Sequence, residues 1–186
     1  MSRNPISQFT FSAALGLMLA SCVSVTLQRT ATTPTTTGGG AGASGPTRPW
    51  PAAATSPTPA RSPADERQVV ALINAERGKA GLAPLRLSPA LASVAQSYAC
   101  ELAARGDIGH TGSDGSSLSE RLRRGGVAAA MVAENNAAGY RTPAEVVAAW
   151  MTSPQHRENI LRPNAARVGI GLADGAAPVW VADFTS

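Results

Sequence analysis

The sequence predicts an α+β domain in which helices flank an antiparallel sheet, and three observations carry that prediction. Helix-capping signals recur from Ser62 to Glu145. Between them, apolar residues repeat at intervals of three and four. From Val168 onward the period changes to two, around a turn signal. Helices and strands of these lengths build one layered core over residues 64–186.

Each element has a local cause. Ser62-Pro63-Ala64-Asp65 supplies an N-cap, a proline at the first helical position and an acid in the first turn. Val69, Val70, Leu72 and Ile73 stripe the helix that follows, and Gly81 stops it. A second helix, Ser88 to Arg105, carries Leu91, Val94, Ala95, Tyr98 and Leu102 on one face before Gly106. Ser117-Leu118-Ser119-Glu120 caps a short third helix that ends at Gly125-Gly126. Thr142-Pro143-Ala144-Glu145 caps a fourth, with Val146, Val147, Trp150 and Met151 as its core face. Val168-Gly169-Ile170-Gly171-Leu172, the turn Asp174-Gly175 and Val179 to Phe184 read as a hairpin. Val127 to Glu134 is expected to add a strand.

The chain ahead of this domain has a different character. Of 16 Lys and Arg, only Arg3, Arg29, Arg48 and Arg61 precede Ala64, and all 12 acids follow it. The net charge of +4 therefore belongs to the front of the chain. The neutral domain lacks the basic footprint of a nucleic-acid binder. Residues 1–22 read as an export signal: Arg3 in a short polar start, an apolar stretch from Phe9 to Ala20, then small residues. That stretch is shorter than the roughly 20 residues a membrane span needs. It ends in Leu19-Ala20-Ser21-Cys22, which resembles the lipobox of bacterial lipoproteins. The resemblance implies acylation of Cys22 and a lipid-anchored protein of the cell envelope; otherwise Cys22 leaves with the signal peptide and the protein is secreted. Residues 23–63 hold half of the 14 prolines, with Thr35 to Thr37 and Gly38 to Gly40. Such a composition buries too little apolar surface to fold and is expected to act as a disordered spacer. With Cys22 modified or removed, Cys100 is expected to be a buried structural thiol beside Ala99 and Leu102, and a monomer is expected.

Three polar segments escape the periodicity: Gly109-His110-Thr111-Gly112-Ser113-Asp114-Gly115, Ala133-Glu134-Asn135-Asn136, and Ser153-Pro154-Gln155-His156-Arg157-Glu158-Asn159. They read as loops and contain both histidines. Spacing alone does not force them together. A His that caps a turn and a Glu paired with a nearby Arg remain alternatives. Arg121, Arg123 and Arg124, with Arg105, form a cluster read first as a solvated face and otherwise as a contact for an anionic envelope partner.

The ordered set GHTGSDGSSLSERL, AEN, AAGY, W-x-x-SPQHRENIL from Trp150, VGIGLA and WVADF resembles the bacterial branch of the CAP superfamily. Its members are also called SCP-like or pathogenesis-related-1-like extracellular proteins. The likeness runs from about Asp65 to Phe184 and implies a three-layer α-β-α sandwich with a cleft. In that cleft, two His and two acids meet, and in some members the His pair binds a divalent metal such as zinc. By motif, His110 is the first His, Glu134 the Glu and His156 the second His, with Asn135 and Ser153 beside them. Ser153 stands three residues after Trp150, where plant and animal members carry the second acid. Gln155 replaces the usual Gly and is expected to narrow the loop before His156, and Asn136 replaces the usual Ile.

The resemblance points to an envelope-tethered protein that binds a lipid, wall polymer or protein ligand in this cleft. One alternative is a metal-dependent hydrolase, with zinc on His110 and His156 and Glu134 taking a proton from bound water. Another is a structural or protein-interaction module in which the trio orders the cleft. No Gly-x-Ser-x-Gly elbow occurs, and nothing local activates Cys100.

Overall fold

The computed structural model describes residues 62–174 and 177–186. The segment read as an export signal, with Cys22, nearly all of the expected spacer and Gly175 of the hairpin turn lie outside the described residues. In chain order the elements are α1 (Pro63–Lys79), β1 (Arg86–Leu87), α2 (Pro89–Arg105), α3 (Leu118–Arg124), β2 (Val132–Ala138), α4 (Pro143–Thr152), α5 (Pro154–Ile160), β3 (Arg167–Ala173) and β4 (Val179–Thr185). No helix among the described residues is long and apolar enough to cross a membrane.

The four strands lie in the order β1-β3-β4-β2. β3, β4 and β2 are antiparallel, and the short β1 runs parallel to β3. Because strand side chains alternate between faces, each strand feeds two layers. Val168, Ile170, Leu172, Trp180, Ala182 and Phe184 pack against Val69 and Ile73 of α1, Val146 and Trp150 of α4 and Ile160 of α5. On the opposite face, Ala173, Val179 and Val181 meet Ala95, Tyr98, Ala99 and Leu102 of α2. The result is the α-β-α sandwich.

The Val-Gly-Ile-Gly-Leu alternation has a steric cause. A Cβ on Gly169 would run into the α2 backbone at Leu91 and Ala92, and one on Gly171 into Ala95. Glycine lets the helix lie directly on the strand. Gln96 fixes the contact, accepting from Leu172 N at 3.1 Å and donating to Leu172 O at 2.9 Å.

The capping residues act as the sequence indicates: the Ser117–Glu120 and Thr142–Glu145 boxes are both closed. Three expectations need correction. Ser153 to Asn159 is not a loop, because Pro154 preorganises the first turn of α5 and Ile160 anchors it in the core. The added strand is displaced from Val127–Glu134 to Val132–Ala138. Its Asn135 and Asn136 are poor strand formers held by side-chain bonds to neighbouring elements. Cys100 is half-buried at the edge of the α2 apolar face rather than within it, packed against the cluster that holds Ala99 and Leu102.

Candidate functional site

β2 is an edge strand, and the candidate site straddles it. Glu134, Asn136 and the β4 residue Asp183 face the α2 side, whereas Asn135 faces α5. His110 arrives from the α2–α3 connection and His156 from α5. The structure thus brings together three segments separated in sequence.

Glu134 is the hub. Its Oε1 lies 2.7 Å from His110 Nδ1 and accepts from Asn136 Nδ2 at 3.1 Å. Its Oε2 accepts from Arg121 Nη2 at 2.6 Å. Glu134 and Arg121 are both buried, whereas the His110 side chain is 60% exposed. Arg121 also donates to the carbonyls of His110 and Ser116, each at 3.1 Å, and its guanidinium stacks 3.6 Å over the Tyr98 ring. The Tyr98 hydroxyl donates to Gly109 O at 2.8 Å, as does Asn136 Nδ2 at 2.8 Å. Burial, and next the charge of Glu134, push the Tyr98 phenol up to about 12, so it remains a donor.

A second group of bonds lies on the α5 side. Asn135 donates to His156 O at 3.0 Å, and Asn159 donates to Asn135 Oδ1 at 2.9 Å and to the outward carbonyl of Glu134 at 3.3 Å. Asn159 thereby covers part of the free strand edge. Ser153 is buried at the α4–α5 junction, makes no side-chain cap bond and does not join the Glu134 network. Gln155 is exposed on α5.

The two imidazoles are driven apart electrostatically. The hydrogen bond to Glu134 raises the His110 titration above its ordinary value against an opposing desolvation. Burial, then the charge of His110, lowers that of His156. Near neutral pH the site therefore pairs a cation-favouring imidazole with a neutral one.

As metal donors, the histidines fit a sparse site. Glu134 on Nδ1 leaves His110 Nε2 as the donor, the carboxylate–histidine arrangement that orients a ligating ring. Among the described residues, no three His, Cys, Asp or Glu side chains cluster closely enough to hold an ion. Protein ligation would rest on the two imidazoles. Glu134 itself is badly placed as a general base, since both its oxygens are committed.

Sequence reasoning missed Arg121, read as part of a solvated cluster, although Leu118 and Leu122 share its helical face and gave the signal. Asn136, noted only as a departure, is a donor to the hub. Tyr98 and Asp183 were hidden within apolar runs.

The model of the CAP family, the cysteine-rich secretory protein family, matches residues 70–184. The chain belongs to this family. Its CAP domain is 35% identical over 130 residues to the uncharacterized protein YkwD of Bacillus subtilis, covering 70% of this chain and 50% of the relative. The uncharacterized membrane protein YlbC of the same organism is 30% identical over 107 residues, covering 58% of this chain and 31% of the relative. The chain thus spans half or less of these relatives' own length. Among solved structures, an outer surface protein of Borrelia burgdorferi superposes with a TM-score of 0.64 at 24% identity, over 68% of this chain and 95% of that one. An extracellular SCP-domain protein of Bacillus anthracis gives 0.62 at 24% identity, over 66% and 40%. These structures share the fold.

Proposed function

We propose that this protein is a ligand-binding CAP module tethered to the cell envelope, acting as a monomer, with a cleft at the β2 edge that receives an anionic or strongly hydrogen-bond-accepting group of a wall polymer or lipid. The observation that carries this reading is the division of labour around Glu134. The carboxylate is buried and bonded by His110, Asn136 and Arg121, while the imidazole it holds is exposed and biased towards its cationic, two-donor form. A site built for hydrolysis needs a base open to the substrate, whereas a site built for recognition needs a fixed donor. The test is calorimetric titration of the chain with soluble wall fragments and with anionic vesicles. Binding should weaken as pH rises through the His110 titration and fall at least tenfold in His110→Ala. Equal affinity across that range would sink the proposal.

A second reading, a divalent metal on His110 and His156, draws support from the orientation that Glu134 imposes on His110. When bound, zinc would supply a Lewis-acidic contact for the same ligand. Modest affinity is expected from two protein ligands.

The tether is part of the proposal. Acylation at Cys22 would anchor the protein durably, because each buried CH₂ contributes about 0.8 kcal/mol, and residues 23–63 would hold the domain away from the membrane. Cys22→Ser should move the protein from the membrane fraction to the soluble one. Limited proteolysis should trim residues 23–63 and spare the chain from Ala64 onward.

A further inference from the structure

Across the β2–β4 pair, Glu134 stands opposite Asp183, and strand alternation turns both side chains to one face. Asp183 is completely buried. β2 presents Glu134 to it and α3 presents Arg121, while β3 contributes Gly169, which has no side chain. Arg121 Nε is buried without a partner, yet neither it nor any other donor of the cluster bonds Asp183. Arg121 gives Nη2 to Glu134 and Nη1 to two carbonyls, and the Tyr98 hydroxyl serves Gly109. Neither Asp183 oxygen has a hydrogen-bond donor.

As an anion, Asp183 would be a dry, unpaired carboxylate pressed against another, which is the costliest state a buried acid can adopt. As an acid it gains a donor of its own, and the neighbouring carboxylate can accept it. We propose that Asp183 is a second acid of this site, a positioning residue that keeps its proton through neutral pH and donates it in a hydrogen bond to Glu134. Burial and the negative charge of Glu134 push in the same direction and outweigh Arg121. The carboxyl pair then carries one negative charge, matched by Arg121. Glu134 is held from inside the domain by Asp183 and from the cleft side by His110. This holds whatever ligand the cleft takes, and it stands or falls separately from the binding reading.

The test follows the carboxyl carbons of the five Asp residues by NMR in the whole labelled chain. The Asp183 signal should keep its acid-form position from about pH 4 to pH 7. Ionisation of all five by about pH 5 would overturn the proposal. Asp183→Asn supplies an independent readout, because its amide imitates the protonated acid, donor included. An acid whose titration is raised in the native state contributes stability that is complete below its unfolded value and lost as pH rises toward the native one. The ratio of the variant's folding equilibrium constant to that of the wild type should therefore grow by up to tenfold per pH unit above about pH 4. A flat or falling ratio counts against the proposal, and if the variant does not fold, the carboxyl titration alone decides.

Discussion

His110 and His156 differ although they belong to one candidate site, because one leans on a carboxylate whereas the other is held down by burial and then by the charge of His110. The bond between His110 and Glu134 stabilises the fold fully below about pH 6.5 and fades as pH rises through the raised native titration. His156 acts in the opposite sense: its contribution is present above about 6.5 and lost as pH falls. Proton NMR of the two imidazoles should show midpoints on opposite sides of the ordinary value. Glu134→Gln should bring the two together, lowering the first and raising the second as the neighbouring charge disappears. Unchanged midpoints in the variant would contradict the bond as drawn. A different residue dominates stability. Arg77 is fully buried and donates to the carbonyls of Ala83, Ile160, Arg162 and Ala165, tying the end of α1 to the connection between α5 and β3. Arg77→Ala strands these carbonyls, and urea unfolding should register a loss of about 3 kcal/mol. Arg77→Lys should recover little of it, since a compact ammonium cannot span four acceptors that a planar fork reaches.

At the scale of elements, the contact between α2 and β3 sets the geometry of the sandwich. Gly169→Ala and Gly171→Ala would push a methyl group into helix backbone that cannot yield as a flexible side chain can. Each should cost about 3 kcal/mol or more in chemical denaturation. Gly78→Ala is the control: it lies in α1 with nothing within 4 Å of the new carbon, and it should stabilise by about 0.5 to 1 kcal/mol. The same contrast explains what was legible. α1 to α4 could be read because an N-cap and a capping box are bonds between residues within one turn. α5 could not, because seven residues with one buried side chain, Ile160, show no period. β1 has two residues and leans on β3 and on the Asn74 amide, which bonds Leu85 N at 2.7 Å and Leu85 O at 3.0 Å. β2 was displaced because Asn135 and Asn136 owe their extended backbone to partners distant in the chain.

At the scale of the molecule, the edge strand β2 exposes both faces of the sheet, and there the two histidines approach each other from different layers. Motif order placed His110, Glu134 and His156 in one cleft, which spacing could not do. Arg121, Tyr98 and Asp183 stayed hidden because each sits in a sequence context that burial or solvation explains equally well. A ligand that engages both histidines would bridge the α2 layer and the α5 layer, so binding should stabilise the whole fold by mass action. At zinc concentrations about a hundredfold above the dissociation constant, the gain should be about 2.7 kcal/mol. Two variants separate this linkage from packing. Arg77→Ala should lower the starting stability yet keep the zinc increment, because the layers still meet at β2. His156→Ala, at a half-buried position on α5, should leave the metal-free melting temperature nearly unchanged and abolish the increment. No increment in the wild type, or one that survives His156→Ala, would mean that the histidines do not act as a pair, and would leave His110 alone as the cleft's donor.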